Sequence, residues 1–498
     1  MKDSLKRRYA IKLLANIIVG IINAVIIALV PKALGPIAYG QFVYLQEFFM
    51  KIIGFLDMGS SIAFFTKLSA KHTRKELITF YFIYSFLVLC LVFSFIFIVD
   101  STGYLNSLLP DISNTYVYMG LFFGFFTWLT QIFIKISDAY AFTVSVELIK
   151  IGHKLVTLLL LIYFIYMTIF DLKKYFVFHY IALGSFIFIL IWFFIKNDLF
   201  NKSILSLNFG FKKVSKEFLD YCHPLFINTV ITMCVGLFDI WLLQTIAGSK
   251  QMGFYGLAYS LAAMCFLFTS AMTPIITREF SKSYEQKDLE QMKRLFYRYI
   301  PMLYSIAAYF SVFISIESEN VLSIFTDEKY KGAFLVLVIM AFYPIHQTYG
   351  QLSGSIFYAT GQTKLLRNIA LVVQPIGMLL TFVFVYTLDL GAVGLAYKMI
   401  IVQFIGIIVQ LYFNSKFLKL DIKYFLWHQV YSVVFFILIA FISSKIISLT
   451  SPLYEFLISG FIYTLLVTIG AYIFPQVFAT NREELRLNFS RLKNVIKK

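Results

Sequence analysis

The chain has 498 residues, of which 60% are hydrophobic and only 14% are charged, with a mean hydropathy of +0.81. A composition this apolar excludes a protein whose whole surface faces water, and apolar runs of about 18 to 25 residues are long enough to cross a bilayer. The formal charge of +17 would also suit a nucleic-acid binder.

Hydropathy predicts an all-α polytopic membrane protein with about fourteen transmembrane helices. The first apolar run, after MKDSLKRRYAIKLL, is too long for a signal peptide and has no small-residue cleavage site, so we expect an uncleaved span. The spans are predicted at 12–33, 41–65, 78–99, 115–137, 147–168, 175–195, 218–247, 252–275, 299–317, 332–358, 369–388, 391–414, 425–447 and 454–474.

The positive charge is unevenly distributed across the predicted membrane. If successive spans alternate in direction, roughly 34 Lys and Arg residues fall on the side of both termini and roughly 7 on the other, with Lys51 and Lys398 inside spans. This bias predicts cytoplasmic termini in a multi-pass protein. It also explains the basic composition without a nucleic-acid partner.

Cysteine, histidine and glycine patterns give no support for a metal site or a nucleotide site. The cysteines lack CxxC spacing and the histidines lack HExxH spacing, while ATGQTK lacks a phosphate-loop lysine because Gln362 follows Gly361. We therefore expect no cofactor and no ATP hydrolysis, so an ion gradient or the membrane potential must drive any uphill transport. The cysteines, expected to be small buried hydrophobes, are Cys90, Cys222, Cys234 and Cys265.

An internal repeat divides the chain. LGPIAYGQF, with Gly35 and Gly40, has a counterpart in AGSKQMGFY, with Gly248 and Gly253, and each pair joins an odd span to the next. Six spans separate the copies, so the copies share an orientation. The pattern predicts two pseudo-symmetric six-helix lobes around a central cavity, plus two extra C-terminal helices.

The predicted boundaries follow from this repeat and from the longest cytoplasmic connection. They are an N-lobe at 1–200, a cytoplasmic linker at 201–216, a C-lobe at 217–415, and the two extra spans with a cytoplasmic tail at 416–498.

Six stretches, two of which contain the repeat copies, occur in a characteristic order: ALGPIAYGQF, FLDMGSSIAFFTKLSA, HPLFINTVITMCVGLFDIWLLQTIAGSKQMGFYGLAYSL, FTDEKYKGAFLVLVIM, YATGQTKLLRNI and LDLGAVGLAYKMI. In these motifs, across roughly the first 415 residues, the chain resembles the polysaccharide-transporter branch of the MOP exporter superfamily, the Wzx-type flippases. The resemblance implies two bundles of six helices around a cavity that opens alternately to the cytoplasm and the periplasm.

The resemblance also implies a function in the bacterial cytoplasmic (inner) membrane. The expected activity is translocation of a polyprenyl-diphosphate-linked oligosaccharide, such as a repeat unit of lipopolysaccharide O-antigen, capsule or exopolysaccharide, to the outer leaflet. We expect a transporter and not an enzyme, with H⁺ or Na⁺ as the coupling ion. Expected partners are membrane lipids, a polysaccharide polymerase and other proteins of the assembly pathway.

Three alternatives stay open. A peptidoglycan-precursor flippase or an ion-coupled drug exporter would share the fold. A membrane-embedded glycan polymerase or glycosyltransferase would need a long catalytic outer loop, whereas segments such as ESENVLSIFTDEKYKGA are short. A scaffold without a substrate is disfavoured by the charges inside several spans.

Charged residues in span two are the first candidates for a substrate site. Glu47, Lys51 and Asp57 fall within about 120° of arc on a helical wheel, and Glu47 and Lys51 have the spacing of an ion pair. Because an unpaired charge at mid-membrane costs about 2.5 to 3.5 kcal/mol, this face is expected to line a cavity where Lys51 attracts an anionic headgroup. Alternatively, the pair is structural and Asp57 lies at the membrane surface.

Span seven carries a second polar stripe, formed by Asn228, Thr232, Gly236 and Asp239. An intramembrane carboxylate without a basic neighbour in its own helix is a candidate for binding H⁺ or Na⁺, so Asp239 is the ion-coupling candidate, with Asn228 and Thr232 beside it. An interhelical hydrogen bond is the alternative. Pro224 is expected to kink the start of this helix.

Further basic residues near the cytoplasmic side are candidates for receiving the diphosphate. Glu147, Lys150 and Lys154 form a helical stripe at the start of span five, although snorkelling to the interface also explains the lysines. Arg278 and Lys398 are candidates for the same role.

Span one presents Asn16, Gly20 and Asn23 on one face. Close helix packing through Gly20 is one interpretation, and cavity lining by Asn23 is the other.

Overall fold

The computed structural model describes residues 5–70, 73–167, 170–200, 210–223 and 226–483. Helices and turns make up these segments, and none of them contains a strand. Packing divides the chain into two compact units, Met1–Gly253 and Phe254–Lys498. The lobe boundaries drawn from the sequence stay a prediction.

The first unit contains nine helices among its described residues. In chain order they are α1 (Leu5–Asp57), α2 (Ser60–Ala70), α3 (Glu76–Ser101), α4 (Leu105–Leu108), α5 (Asn114–Ala139), α6 (Thr143–Met167), α7 (Leu172–Lys196), α8 (Phe211–Cys222) and α9 (Phe226–Ala263), whose last turns extend into the second unit.

Both long helices of this unit change direction at a glycine. Gly35 in α1 has φ 74° and ψ 168°, and Gly248 in α9 has φ 76° and ψ 176°. This region of backbone space is open almost only to glycine, because a side chain would clash with the neighbouring backbone. The two copies of the predicted repeat therefore share a backbone conformation as well as a glycine spacing.

Twelve helical stretches in the described part of the chain are long and apolar enough to cross a membrane. Two of them, Leu14–Asp57 and Thr229–Phe266, have 44 and 38 residues, well beyond the roughly 20 that one crossing needs, and each contains one of the glycine breaks. The prediction of an all-α polytopic membrane protein is confirmed. The total of fourteen spans stays a prediction.

The predicted span 41–65 is not one continuous helix. α1 ends at Asp57 and α2 begins at Ser60, because Met58 and Gly59 adopt left-handed backbone angles with φ 46° and 79°. The side chains beyond this break therefore do not follow the helical wheel of α1.

An amphipathic helix begins in the predicted linker and ends beyond it. Residues 201–209 lie outside the described segments, but α8 follows them and packs Phe218 against Phe80, with ring centroids 4.9 Å apart. Glu217 accepts a hydrogen bond from Arg74 at 3.0 Å and lies 3.6 Å from the Lys67 ammonium. The Arg74 guanidinium holds the pKa of the Glu217 carboxyl below its ordinary value.

The second unit contains the remaining described elements. They are a 3₁₀ turn (Met264–Phe266), α10 (Leu267–Glu285), α11 (Leu289–Ile316), α12 (Ser318–Phe325), a 3₁₀ helix (Glu328–Ala333), α13 (Phe334–Met340), α14 (Tyr343–Ala359), α15 (Thr363–Thr381), a π-helix (Phe382–Thr387), α16 (Gly391–Leu418), α17 (Ile422–Ile446), α18 (Pro452–Ile473) and a 3₁₀ turn (Pro475–Phe478).

The two extra helices are integrated into this unit. α17 packs along α11, and both Ser305 of α11 and His428 of α17 bond to the carbonyl oxygen of Val477. At the other end of α11, the buried carboxylate of Glu317 accepts a hydrogen bond from Ser459 of α18 at 2.6 Å. α17 and α18 therefore share the core of the second unit.

Candidate functional site

The predicted pair between Glu47 and Lys51 is present in α1. The Lys51 ammonium forms an ion pair with the Glu47 carboxylate, and the two side chains are 26% and 35% exposed. The opposite face of α1, including Leu45 and Phe49, is fully buried. The charged face is therefore the less closely packed side of this helix.

Gly236 of α9 lies directly against the Lys51 side chain. A Cβ atom at this position would come within 2.6 Å of Lys51 Cε and 3.1 Å of Cδ. Because those distances are shorter than normal carbon contacts, the lysine can lie across α9 only where there is no side chain. The structure thus places the charged stripe of α1 against the predicted polar stripe of span seven.

The other members of that stripe differ in burial. Asp239, one turn from Gly236, is buried with 8% exposure, whereas Thr232 is exposed. The side chain of Asn228 lies outside what the structure describes, and so does the predicted kink at Pro224. The roles of Asp239, Thr232 and Asn228 in ion coupling stay predictions.

Asp57 occupies the break between α1 and α2. Its carboxylate accepts hydrogen bonds from Ser60 Oγ at 2.9 Å, from the Ser61 amide and hydroxyl at 3.1 and 2.8 Å, and from the Tyr81 hydroxyl at 2.7 Å. Four donors to one carboxylate fix the start of α2. This geometry gives Asp57 a structural role, and its predicted contact with a headgroup is untested.

Lys135 is a charged residue near this position that the sequence analysis did not single out. It lies in the last turns of α5, is partly buried, and is close enough to Asp57 for their charges to interact. The signal in the sequence was a lysine inside the apolar run QIFIKISDA, where a charge needs a partner.

The predicted stripe of charged residues on α6 also lies in the first unit. Glu147 is buried, with Lys150 3.4 Å away. Lys154 lies one turn further, and its charge interacts with the partly buried ring of His179 on α7. α6 packs on α1, so these predicted receiving residues lie on a helix adjacent to the one that carries Lys51.

The remaining candidates are separate from this group. Lys398 on α16 is only 3% exposed and lies over Gly377, where an added Cβ would be 3.1 Å from its Cε. Arg278 on α10 is exposed. In α1, Gly20 is buried whereas Asn23 is exposed, which fits helix packing through the glycine.

The cysteines are all unpaired. Cys222 and Cys265 are buried, but Cys90 and Cys234 are exposed, so the expectation of burial is wrong for these two. An exposed thiol on a span faces either lipid or a crevice and needs no polar partner. In the described segments no cluster of three His, Cys, Asp or Glu residues has metal-binding geometry.

Two family models match this chain. Residues 5–280, more than half of the chain, match the family model described as polysaccharide biosynthesis protein, and residues 224–383 match the MatE model. No curated protein sequence matches the chain.

Several solved structures share the fold. The lipid II flippase MurJ in an inward closed conformation matches with a TM-score of 0.70 and 14% identity, over 93% of this chain and 98% of that one. An inward-facing multidrug resistance MATE family transporter of the MOP superfamily matches with a TM-score of 0.59 and 15% identity, over 84% and 96%. A MOP superfamily transporter from Pyrococcus furiosus matches with a TM-score of 0.56 and 15% identity, over 84% and 98%.

These matches confirm the predicted two-lobe fold, and the family match over residues 5–280 agrees with the predicted resemblance to a family of polysaccharide transporters. Because the identities are low, the solved structures speak for the fold alone. The narrower assignment to the Wzx-type branch stays a prediction.

Proposed function

This chain belongs to the polysaccharide biosynthesis protein family, and on that premise we propose that it is a flippase for a polyprenyl-diphosphate-linked oligosaccharide. The substrate would be a repeat unit of O-antigen, capsule or exopolysaccharide, carried from the cytoplasmic to the outer leaflet of a bacterial inner membrane. Both termini would lie in the cytoplasm. The family match carries this proposal, and the Lys51 geometry supports it.

Lys51 would recognise the diphosphate. Its ammonium lies on the open face of α1, against Gly236, and already pairs with a carboxylate that a phosphate oxygen can replace. The incoming diphosphate would take the place of Glu47 as the partner of Lys51. Glu47 would recapture the ammonium when the headgroup leaves.

The prenyl chain of such a substrate needs an apolar surface. The second unit has an apolar groove of about 560 Å³ between α11 and α18, with Met302, Phe310 and Val467 among its lining residues. A groove of this chemistry would suit an isoprenoid chain and favours a lipid-linked substrate over a small polar one.

Alternating access would move the headgroup across the membrane, with the two lobes rocking about the site. H⁺ or Na⁺ binding at Asp239 would reset the carrier. The MatE match over residues 224–383 keeps an ion-coupled small-molecule exporter as the second candidate.

Depletion of the protein tests the function. We expect lipid-linked glycan to accumulate on the cytoplasmic leaflet, and restored export when the wild-type chain is supplied. Unchanged glycan export on depletion, together with increased sensitivity to toxic cations, would favour the exporter instead.

Site variants test the mechanism. Lys51→Ala should lose both glycan binding and outward delivery, whereas Glu47→Gln should still co-purify with glycan but deliver it more slowly. Asp239→Asn should remove the dependence of delivery on the ion gradient. Lys445→Ala, at an exposed lysine of α17, is the matched control and should behave as wild type.

A further inference from the structure

A short segment between α3 and α5 is held by side chains from two different helices. Four backbone carbonyls of Leu105–Asp111, here called the bridge segment, accept hydrogen bonds, two from α1 and two from α9. The donor and acceptor pairs are Gln41 with Asp111 (2.8 Å), Tyr44 with Leu108 (3.2 Å), Trp241 with Ser107 (3.2 Å) and Gln244 with Pro110 (3.1 Å).

The two glycine repeats meet next to this segment. A Cβ on Gly40 would overlap the carbonyl oxygen of Ser249, and a Cβ on Gly253 would overlap the carbonyl oxygen of Pro36. The contact is reciprocal, since Pro36 and Ser249 each directly follow the break glycine of their own repeat. Backbones approach this closely only where side chains are absent.

Both features lie at the same end of the membrane helices. The break in α1 follows the first span, so it lies on the side of the membrane opposite the N-terminus. The bridge segment joins α3 to α5 and, through its bonds, joins α1 to α9. A carrier with alternating access must separate the two repeats on this side to release its substrate.

We propose that the bridge segment and the Gly40–Gly253 contact together form the outer gate of the transport path. Trp241 and Gln244 are the donors that release the segment when the gate opens, while Gln41 and Tyr44 keep it attached to α1. The reciprocal glycine contact sets how tightly the gate closes. This inference rests on the proposed function, in which the outer side opens to deliver the glycan.

A thiol reporter at the contact measures the gate directly. Ser249 is 7% exposed, so Ser249→Cys, in a chain whose four native cysteines are replaced by serine, should react slowly with a membrane-impermeant maleimide added to intact cells. Trp241→Phe removes the indole N–H and keeps an aromatic ring, and should raise the labelling rate about threefold to tenfold. Gly40→Ala wedges the contact apart and should raise it at least about tenfold.

Two matched controls distinguish gate opening from general loosening. Gly54→Ala lies in the same helix as Gly40, but its added Cβ has no heavy atom within 4 Å. Trp192→Phe changes an exposed tryptophan of α7. Both should leave the labelling rate unchanged. If Gly40→Ala does not reach the membrane, Trp241→Phe carries the test alone.

Equal labelling of the gate variants and the controls would overturn the proposal. Labelling that occurs only when the maleimide reaches the cytoplasmic side would contradict the outer location of the gate. The function is read separately, by glycan export on depletion. Glycan export that persists after depletion would contradict the proposed function. If the labelling rate still rises with Trp241→Phe in that case, the outer gate remains supported.

Discussion

The contact between Gly236 and Lys51 leads to a specific prediction for Gly236→Ala. The new Cβ would lie 2.6 Å from Lys51 Cε, whereas non-bonded carbon atoms prefer about 3.5 to 4.0 Å. The lysine chain must therefore shift by roughly 1 Å and leave its present position beside Glu47.

The cost of this shift follows from two contributions. An off-rotamer side chain costs about 0.5 to 1.5 kcal/mol, and a partly exposed ion pair four residues apart contributes about 0.3 to 0.5 kcal/mol. The sum is about 1 to 2 kcal/mol, or a factor of about 5 to 30 in an equilibrium. We expect glycan delivery to fall by this order, while the net loss of stability should be smaller by the roughly 1 kcal/mol that alanine gains over glycine inside a helix.

A double-mutant cycle checks that the loss comes from Lys51. The free energy of unfolding of the detergent-purified protein is measured for Gly236→Ala in the wild-type chain and in the Lys51→Ala chain. The loss of stability caused by the Lys51 contact should be absent in the Lys51→Ala chain, because the new methyl group then contacts no lysine side chain. Gly54→Ala should be neutral or slightly stabilising, since it adds a methyl in open space.

An equal loss in both backgrounds would refute the reasoning. It would mean that the alanine disturbs α9 itself and that the lysine contact contributes nothing.

Three further variants have expected outcomes. Asp57→Ala should lower the stability of the purified protein by about 2 to 4 kcal/mol, because four donors lose a charged acceptor; an unchanged melting temperature would contradict this. The protection of the α8 amides against hydrogen exchange, corrected for the intrinsic pH dependence of exchange, should decrease as the pH falls through the lowered pKa of Glu217, because protonation releases Arg74. Glu217→Gln should show this low protection at every pH. Glu317→Ala should destabilise the protein by about 1 to 3 kcal/mol, while the exposed neighbour Glu319→Ala should not; equal melting temperatures would exclude a structural role for the buried carboxylate.

The sequence predicted the features that depend on spacing along one helix. The Glu47–Lys51 pair needs only a four-residue interval, and it is present. The helical wheel also placed Asp57 on the face of Glu47 and Lys51, but that prediction assumed an unbroken helix. The left-handed backbone at Met58 and Gly59 ends the periodicity, and the Asp57 carboxylate stabilises this break by accepting hydrogen bonds from α2.

Features that depend on which helices meet could not be read from the sequence. The spacing of Gly35 and Gly40 indicated a repeat, but not that Gly40 lies against Ser249 of the second copy. Lys135 and Asp57 interact although they lie on different helices and are 78 positions apart in the chain. Hydropathy records which residues prefer the membrane and carries no information on such pairings.

The pairing of Lys51 with Glu47 is itself suited to a carrier. Two opposite unit charges 4 Å apart attract by about 4 kcal/mol at an effective dielectric constant of 20, before the cost of removing both charges from water is subtracted. A bare lysine at membrane depth would therefore hold a diphosphate long after the path had opened. Because the Glu47 carboxylate is within reach of Lys51, the diphosphate binds by replacing it. The free energy of binding then depends only on the difference between the Lys51–diphosphate and Lys51–Glu47 ion pairs. Headgroup capture and headgroup release can then proceed at the same residue, which is what a transporter requires and a high-affinity receptor does not.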